Sequence, residues 1–241
     1  MMNIQPEEIY KSFLYALHYV PVTLYVTFIP LLLCILFGGI IALLRVYRIV
    51  VLSPVLDFFV SVIKGIPTIL FLVITGLLFA TRFDALAEAL KLGIRAKDVD
   101  AVYLAIFVLT FTHIPVLSES FRGALLSVAK GQYEAGYSVG MTKPQTFFRI
   151  ILPQAFYVIL PGLTNNTIGL LKGSSLVYMI GVTDILNSAL KPANATYAFL
   201  ESYLAAAIIY WILCIGIEGI GRGLEAYFGK FRRGAACEKV K

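Results

Sequence analysis

Long apolar runs, separated by short polar segments, make up most of this chain. The runs cover about residues 20–44, 55–80, 100–121, 154–186 and 199–222. Each run is long enough to cross the hydrocarbon core of a bilayer as a helix, which takes roughly 20 residues. Because a membrane-spanning backbone must satisfy its own hydrogen bonds, the pattern predicts an all-α integral membrane protein with five transmembrane helices.

The segments around these runs carry patterns of their own. Residues 6–20 mix charged with aromatic residues, which predicts a short amphipathic helix at the membrane interface before the first span. Residues 81–99 combine charges with apolar residues at helical spacing, which predicts a surface helix or loop. The fourth run contains polar and helix-breaking residues, and we expect them to interrupt its helix. These residues are Pro161, Gly162, Asn165, Asn166, Gly169, Lys172 and Gly173.

The polar stretch 132–155 has the signals of two short helices joined by a turn. Gly140 is expected to end the first helix. Thr142, followed three residues later by Gln145, predicts a capping box, and Pro144 suits the first turn of a second helix. Small residues leave little bulk on one side of the first helix, which suits close packing against another protein. They are Ala135, Gly136 and Gly140.

The composition excludes an ordinary soluble domain. The chain is 59% hydrophobic and 14% charged, with a mean hydropathy of +0.86, whereas soluble domains carry about 25% charged residues. The three cysteines lack metal-ligand spacing and imply no disulfide framework. The first residues are acidic where a signal peptide is basic, so we expect the first span to be retained.

The basic residues predict the orientation of the chain. Five spans put segments 45–54, 122–153 and 222–241 on one side of the membrane, and these hold twelve of the 20 lysines and arginines. Because basic residues concentrate on the cytoplasmic side, the N-terminus is predicted outside and the C-terminus in the cytoplasm. This orientation explains the net charge of +6 without a nucleic-acid partner.

Several motifs resemble those of ABC importer permeases. Glu134-Ala135-Gly136, then Gly140 and Ile151-Leu152-Pro153, resemble the EAA loop of that family, and the wider stretch is similar to its polar amino-acid uptake subfamily. Further likenesses are Lys64-Gly65-Ile66-Pro67, Glu119 with Phe121-Arg122-Gly123, and Leu170 to Leu176. The resemblance covers about residues 20–222. The sequence departs from the family pattern at Lys64, Ile66, Gly136 and Gly173-Ser174.

The resemblance implies the MetI-like permease fold and its domain organisation. A permease domain at 20–222, with a cytoplasmic EAA loop at about 126–153, is expected between an interfacial segment at 1–19 and a basic cytoplasmic tail at 223–241. In the family this loop docks on a separate ATPase subunit. The implied ATPase-coupling residues are Glu134, Ala135, Gly136, Gly140, Ile151, Leu152 and Pro153.

The resemblance also implies the partners. A second permease chain, identical or related, an extracellular solute-binding protein, an amino-acid substrate and membrane lipid are expected, with the chain a multi-pass protein of a prokaryotic cell membrane. The sequence has no GxxxxGK[ST] phosphate loop. We therefore expect no enzyme activity, catalytic residue, metal site or cofactor in this chain, with ATP and Mg²⁺ bound by the partner ATPase.

Polar residues at membrane depth are the candidate substrate ligands, because a charge there is costly unless it is paired or functional. Lys172 either meets a substrate carboxylate, pairs with an acidic residue such as Glu119, or extends to an interface. Glu119 either binds a substrate ammonium group or pairs with Arg122. Ser174, Ser175 and Asn166 either line the pathway or bridge helices. The full candidate set is Lys172, Ser174, Ser175, Asn166 and Glu119.

Three functions are consistent with the sequence. The first is the permease subunit of an ABC importer for a polar amino acid or a close derivative. The second is the same architecture carrying another small solute, or serving as the half of a heterodimer that binds no substrate. The third is a membrane scaffold or sensor without transport.

Overall fold

The computed structural model describes residues 5–91 and 93–237, and the regular structure in these ranges is entirely helical. The predicted end segments 1–19 and 223–241 extend outside the described residues at 1–4 and 238–241. The α-helices are α1 (Pro6–Leu17), α2 (Val20–Val46), α3 (Leu52–Gly65), α4 (Thr68–Ala89), α5 (Ala101–Leu126), α6 (Lys130–Ser138), α7 (Lys143–Thr146), α8 (Leu152–Ser174), α9 (Ile185–Thr196) and α10 (Phe199–Cys237).

Five helical segments of the described chain are long and apolar enough to span a membrane, as predicted. A π-helical turn, Phe147–Ile151, joins α7 to α8, and a 3-10 turn, Ser175–Ile180, extends α8, so these four pieces form one continuous rod. The five segments are Val20–Val46, Thr68–Ala89, Ala101–Leu126, Lys143–Ile180 and Phe199–Gly229.

The second apolar run is not the single helix that the sequence predicted. α3 ends at Gly65 and α4 begins at Thr68. Pro67 lacks an amide hydrogen and disfavours helical geometry in the residue before it, and Ile66 is accordingly extended, with φ −102° and ψ 127°. α4 then continues to Ala89, so much of the predicted surface helix or loop at 81–99 is the end of this span.

The break between α3 and α4 lies at the mid-depth of the bundle. The rings of Phe59 and Phe71, one on each side of the break, both contact the ring of Phe111, with centroids 5.6 and 5.7 Å apart. Phe111 lies near the middle of α5. The irregular backbone is therefore at a level where lipid offers no hydrogen-bond partners.

The fourth span is continuous, so the prediction that its polar and small residues interrupt it is wrong. α8 runs from Leu152 to Ser174 through Pro161. Its polar side chains donate to backbone carbonyls four residues earlier, which satisfies them within the helix. These bonds are Thr164 Oγ1 to Leu160 O (3.1 Å), Asn166 Nδ2 to Gly162 O (2.7 Å) and Thr167 Oγ1 to Leu163 O (2.8 Å).

The fifth span also differs from its predicted boundary at 222. α10 continues to Cys237. At the predicted boundary, Glu218 and Arg222 lie one turn apart and form an ion pair at 2.6 Å. Such a pair favours helix.

The two ends of the bundle are distinct. At one end, Arg45 of α2 pairs with α3 and α5, the Tyr47 ring lies 6.4 Å from Phe147, and the Phe156 ring lies 5.3 Å from Phe228 of α10. At the other end α1 packs on α9 and α10, with Ser12 Oγ 2.8 Å from Ser202 Oγ. The first and last described residues therefore lie at opposite ends, as five crossings require.

Asp184 ties three helices together at the α1 end. Its buried carboxylate accepts hydrogen bonds from the Asn187 amide (2.8 Å), which caps α9, and from the Tyr210 hydroxyl of α10 (2.9 Å). The next amide, Ile185 N, donates to Thr23 Oγ1 of α2 (3.2 Å). Burial raises the pKa of the Asp184 carboxyl, and the hydrogen bonds that it accepts oppose that rise.

α2 and α5 cross with their backbones in close contact. A Cβ added to Gly38 would lie 3.2 Å from Ser118 N and 3.3 Å from Ile114 O. Both neighbours are backbone atoms, which do not rotate away. The adjacent Gly39 has nothing within 4 Å of the same position.

Gly38→Leu is therefore expected to force α2 and α5 apart, lowering the free energy of unfolding by about 1–3 kcal/mol, as overpacking does. Gly39→Leu is the matched control, because it adds the same side chain to open space. Thermal melts of the two purified variants measure the difference. Equal melting temperatures would show that the crossing does not need a glycine.

Candidate functional site

The EAA segment, residues 126–153, forms two short helices joined by a turn, as the sequence predicted. α6 ends where Gly140 adopts a left-handed conformation, with φ +79°. The amides of Gly140 and Met141 donate to the carbonyls of Tyr137 and Gly136, both at 3.0 Å. These two bonds form a Schellman motif, which satisfies the last carbonyls of a helix.

The second short helix begins at the predicted capping box. Thr142 Oγ1 accepts from the Gln145 amide (3.4 Å), and the Thr142 amide donates to Gln145 Oε1 (2.9 Å). Pro144 lies in the first turn, where its missing amide hydrogen leaves no bond unmade. The chain then continues as the rod that reaches Ile180. The turn of the EAA segment is thus joined to a membrane span without a loop between them.

Gly136 contacts its own chain. A Cβ added there would lie 2.6 Å from Thr146 Cγ2 and 2.8 Å from Thr146 Oγ1, and both residues are buried. The small size of Gly136 therefore serves the packing of α6 on the following turn within the chain. Ala135 is exposed.

The base of the EAA segment is buried against the ends of α2 and α5. Phe147 and Ile151 are 8% and 0% exposed and form one cluster with further apolar side chains. The cluster also contains Ala124, Leu125, Val128, Ala155 and Ile159, with Leu43 and Val46 packed against it. The base of the EAA segment and the three span ends therefore form one packed cluster.

The tip of the EAA segment is exposed. Glu134 is exposed beside apolar side chains that are 43–73% exposed, namely Tyr137, Val139 and Phe148. Leu152 and Pro153 are exposed as well, whereas Ile151 is fully buried. A charged residue among exposed apolar side chains is typical of a protein contact surface.

An ion-pair cluster, the arginine cluster, joins α2, α3 and α5 at the EAA end. The Arg45 side chain is 6% exposed; its Nε donates to Asp57 Oδ1 (2.6 Å) and its Nη2 to Glu119 Oε1 (2.8 Å). Glu119 Oε2 lies 3.2 Å from Arg122. Both oxygens of Glu119 are thus engaged by arginines. Arg45 is the partner that the sequence analysis missed, since 74 residues separate it from Glu119.

Lys172 is exposed in the isolated chain at the mid-depth of the bundle. A Cβ added to its neighbour Gly173 would lie 3.8 Å from His113 Cε1, in the middle of α5. In the described part of the chain no acidic side chain pairs with Lys172, and Glu119 pairs with arginines instead. Lys64, at the end of α3, is likewise exposed beside the mid-depth break and has no ion pair among the described residues.

The other candidate ligands are engaged within the chain. The buried Ser174 hydroxyl donates to Leu171 O and the Ser175 hydroxyl to Lys172 O, both at 2.7 Å. Asn166 Nδ2 donates to Ser120 Oγ of α5 at 3.1 Å. The structure therefore gathers Lys172, Ser174 and Ser175 in one turn. Asn166 and Glu119 lie nearer the EAA end, since six helical residues, or about 9 Å of rise, separate Asn166 from Lys172.

Comparison with known proteins gives consistent matches. Residues 8–228 match a family described as binding-protein-dependent transport system inner membrane component. The probable amino-acid permease protein YxeN of Bacillus subtilis is 36% identical over 217 residues, 89% of this chain and 92% of that protein. The L-cystine transport system permease protein TcyL of the same organism is 32% identical over 209 residues, covering 86% and 84%. The crystal structure of an amino acid ABC transporter with histidines superposes with a TM-score of 0.76 and 26% identity, covering 94% of this chain and 100% of that one.

The contact between Gly136 and Thr146 predicts a local effect of substitution. Gly136→Leu is expected to separate α6 from the following turn and accelerate amide hydrogen exchange across 130–146 roughly tenfold, which corresponds to about 1.4 kcal/mol of lost local stability. Gly131→Leu is the control, because nothing lies within 4 Å of its added Cβ. The same exchange rates in both variants would contradict the packing role of Gly136.

Proposed function

This chain belongs to the family of binding-protein-dependent transport system inner membrane components, and we propose that it is the membrane-spanning permease subunit of an ABC importer for a polar amino acid. The relatives carry names of amino-acid and L-cystine permeases. The observation that carries the proposal is the EAA segment, whose exposed tip in and after α6 is followed by a short turn and then by the rod that contains a membrane span. The chain itself binds no cofactor; ATP and Mg²⁺ are held by a separate ATPase subunit.

The ATPase subunit docks on the exposed tip of the EAA segment. Glu134 and Ala135 offer a charge and a small surface, and Tyr137, Val139 and Phe148 supply apolar contact area. Because α7 runs into α8 without a loop, a displacement of the tip moves the rod as a whole. The other end of α8 carries Lys172, so ATPase closure reaches the transport pathway directly.

The EAA end of the bundle faces the cytoplasm, and the α1 end faces outward. Two observations support this orientation. Segments 45–54 and 122–153 and the start of segment 222–241 meet at one end of the fold, and the three segments hold twelve of the 20 basic residues. The membrane is the cell membrane of a prokaryote, consistent with the bacterial relatives.

The substrate pathway runs past Lys172 and Lys64. Both side chains are exposed in the single chain at a depth where lipid does not solvate an ammonium group, and neither has an acidic partner in the described ranges. A water-filled pathway solvates them, and the carboxylate of an amino acid complements their charge. The irregular backbone at Gly65–Pro67 fits the same location, since such backbone is tolerated where it lines a cavity or another chain.

A second permease chain completes the pathway. Within its own chain α4 buries only Leu72 and Ala87, so most of this span is left for contact with another chain or lipid. An extracellular binding protein delivers the substrate to the paired chains at the α1 end.

Glu134→Arg tests the docking of the ATPase subunit. Reversing a charge at the docking surface is expected to lower retention of the ATPase subunit and substrate-stimulated ATP hydrolysis about tenfold, or by about 1.4 kcal/mol of binding free energy. Glu88→Arg at the other end of the bundle is the control, because Glu88 is equally exposed. Undiminished hydrolysis and retention in Glu134→Arg would refute docking at this residue.

Lys172→Gln tests the substrate contact. Loss of a charge-assisted hydrogen bond to the substrate carboxylate is expected to raise the half-saturating amino-acid concentration for uptake by roughly tenfold or more. Lys172→Arg keeps the charge and is expected to retain part of the affinity. Lys191→Gln in α9 is the control. If Lys172→Gln leaves affinity and uptake unchanged, this chain does not hold the substrate through Lys172, as in the non-binding half of a heterodimer.

A further inference from the structure

A basic cavity lies beside the arginine cluster, between the end of α2, the start of α3 and the end of α5. Its volume is about 390 Å³. Three arginines and one carboxylate line it, together with polar and apolar residues of the α2–α3 turn. The lining residues used below are Arg45, Arg48, Arg122, Asp57 and Val50.

The hydrogen-bonding capacity of the arginines is not used up within the chain. Arg45 donates from Nε to Asp57 and from Nη2 to Glu119, but its buried Nη1 has no hydrogen-bond partner. A buried guanidinium donor without an acceptor is costly. Arg48 is exposed and makes no ion pair with any described residue. The cavity therefore holds donors for an anion that the chain does not supply.

The net charge of the site also favours an anion. Arg45, Arg48 and Arg122 carry three positive charges, whereas Asp57 and Glu119 carry two negative ones. Both carboxylates are already paired with guanidinium groups, so their charge is largely compensated. Arg48 is the uncompensated cation.

The surroundings of the cavity are those of a membrane interface. The first span ends at Val46, and the turn that follows exposes Val50 and Val51, which are 89% and 75% exposed. Apolar side chains next to arginines at the end of a span match the boundary between acyl chains and phosphate groups. Arg48 has a left-handed backbone, with φ +50°, a conformation unusual for a residue other than glycine. The α2–α3 turn therefore holds this backbone geometry at Arg48, the arginine whose charge no carboxylate compensates.

We propose that this cavity binds the phosphate of an anionic membrane lipid headgroup. Arg48 supplies the main charge, Arg122 supplies further donors, and Val50 and Val51 contact the adjoining part of the acyl chains. A bound headgroup bridges α2 and α5 and so stabilises the end of the bundle on which the EAA segment packs. The inference rests on interfacial position and charge alone, and it stands or falls separately from the transported substrate.

The test is lipid retention by the full-length protein, alone and assembled with its ATPase subunit, using native mass spectrometry in mixed phosphatidylglycerol and phosphatidylcholine. Wild-type protein is expected to retain phosphatidylglycerol preferentially. Arg48→Gln is expected to lose that preference by roughly tenfold, the effect of removing a charge-assisted hydrogen bond, and Arg48→Lys to keep part of it. Arg82→Gln, in α4 away from the cavity, is the charge-matched control.

Three results would overturn the proposal. Equal retention of the two lipids, or equal losses in Arg48→Gln and Arg82→Gln, would show that no specific site exists. If millimolar inorganic phosphate displaces the lipid and binds as tightly as the lipid does, the cavity is a site for free phosphate. If phosphatidylglycerol is lost when the ATPase subunit assembles, the arginines bind a carboxylate of the ATPase subunit and not a lipid. Elution profiles and melting temperatures of the variants confirm that they are folded.

Discussion

Burial of Phe147 and Ile151 beneath the turn of the EAA segment is the contact on which the rest of the structure depends. Each side chain contributes about 1.5–3 kcal/mol by leaving water, and together they fix the turn to the ends of α2 and α5. The same residues belong to the π turn that joins α7 to α8. One packed junction thus holds the EAA segment to the bundle, and in the proposed function it passes a displacement of the tip into the fourth span.

Two groups of charged residues in the bundle have different consequences. Arg45 and Arg122 are neutralised by Asp57 and Glu119 at the EAA end, where the cluster ties α2 to α3 and α5. Lys64 and Lys172 lie at mid-depth without an acidic partner among the described residues, which is tolerable only beside water, substrate or another chain. The paired charges tie three helices together, and the unpaired charges are those past which the substrate pathway is proposed to run.

The sequence predicted those features that depend on local rules. The lengths of the apolar runs predicted the number of spans. The residues that favour helix ends predicted that α6 ends at Gly140 and that α7 begins at the Thr142–Gln145 capping box. It missed one break that a local proline rule explains, since Pro67 divides the second apolar run. It also predicted an interrupted fourth helix, but that helix continues through Pro161, and Asn166 and Thr167 donate to carbonyls of the same helix. The contacts Gly136–Thr146 and Arg45–Glu119 depend on how helices pack, which no short motif records.

In the proposed function, ATP hydrolysis on the EAA side drives inward transport of an amino acid. Uptake of a panel of labelled amino acids tests this in proteoliposomes that contain this chain, its partner permease and its ATPase, with the binding protein outside. We expect accumulation of a polar amino acid against its gradient when ATP is supplied on the side of the EAA segment, and none when ATP is only on the other side. Accumulation without ATP, or with ATP only on the side of α1, would contradict it.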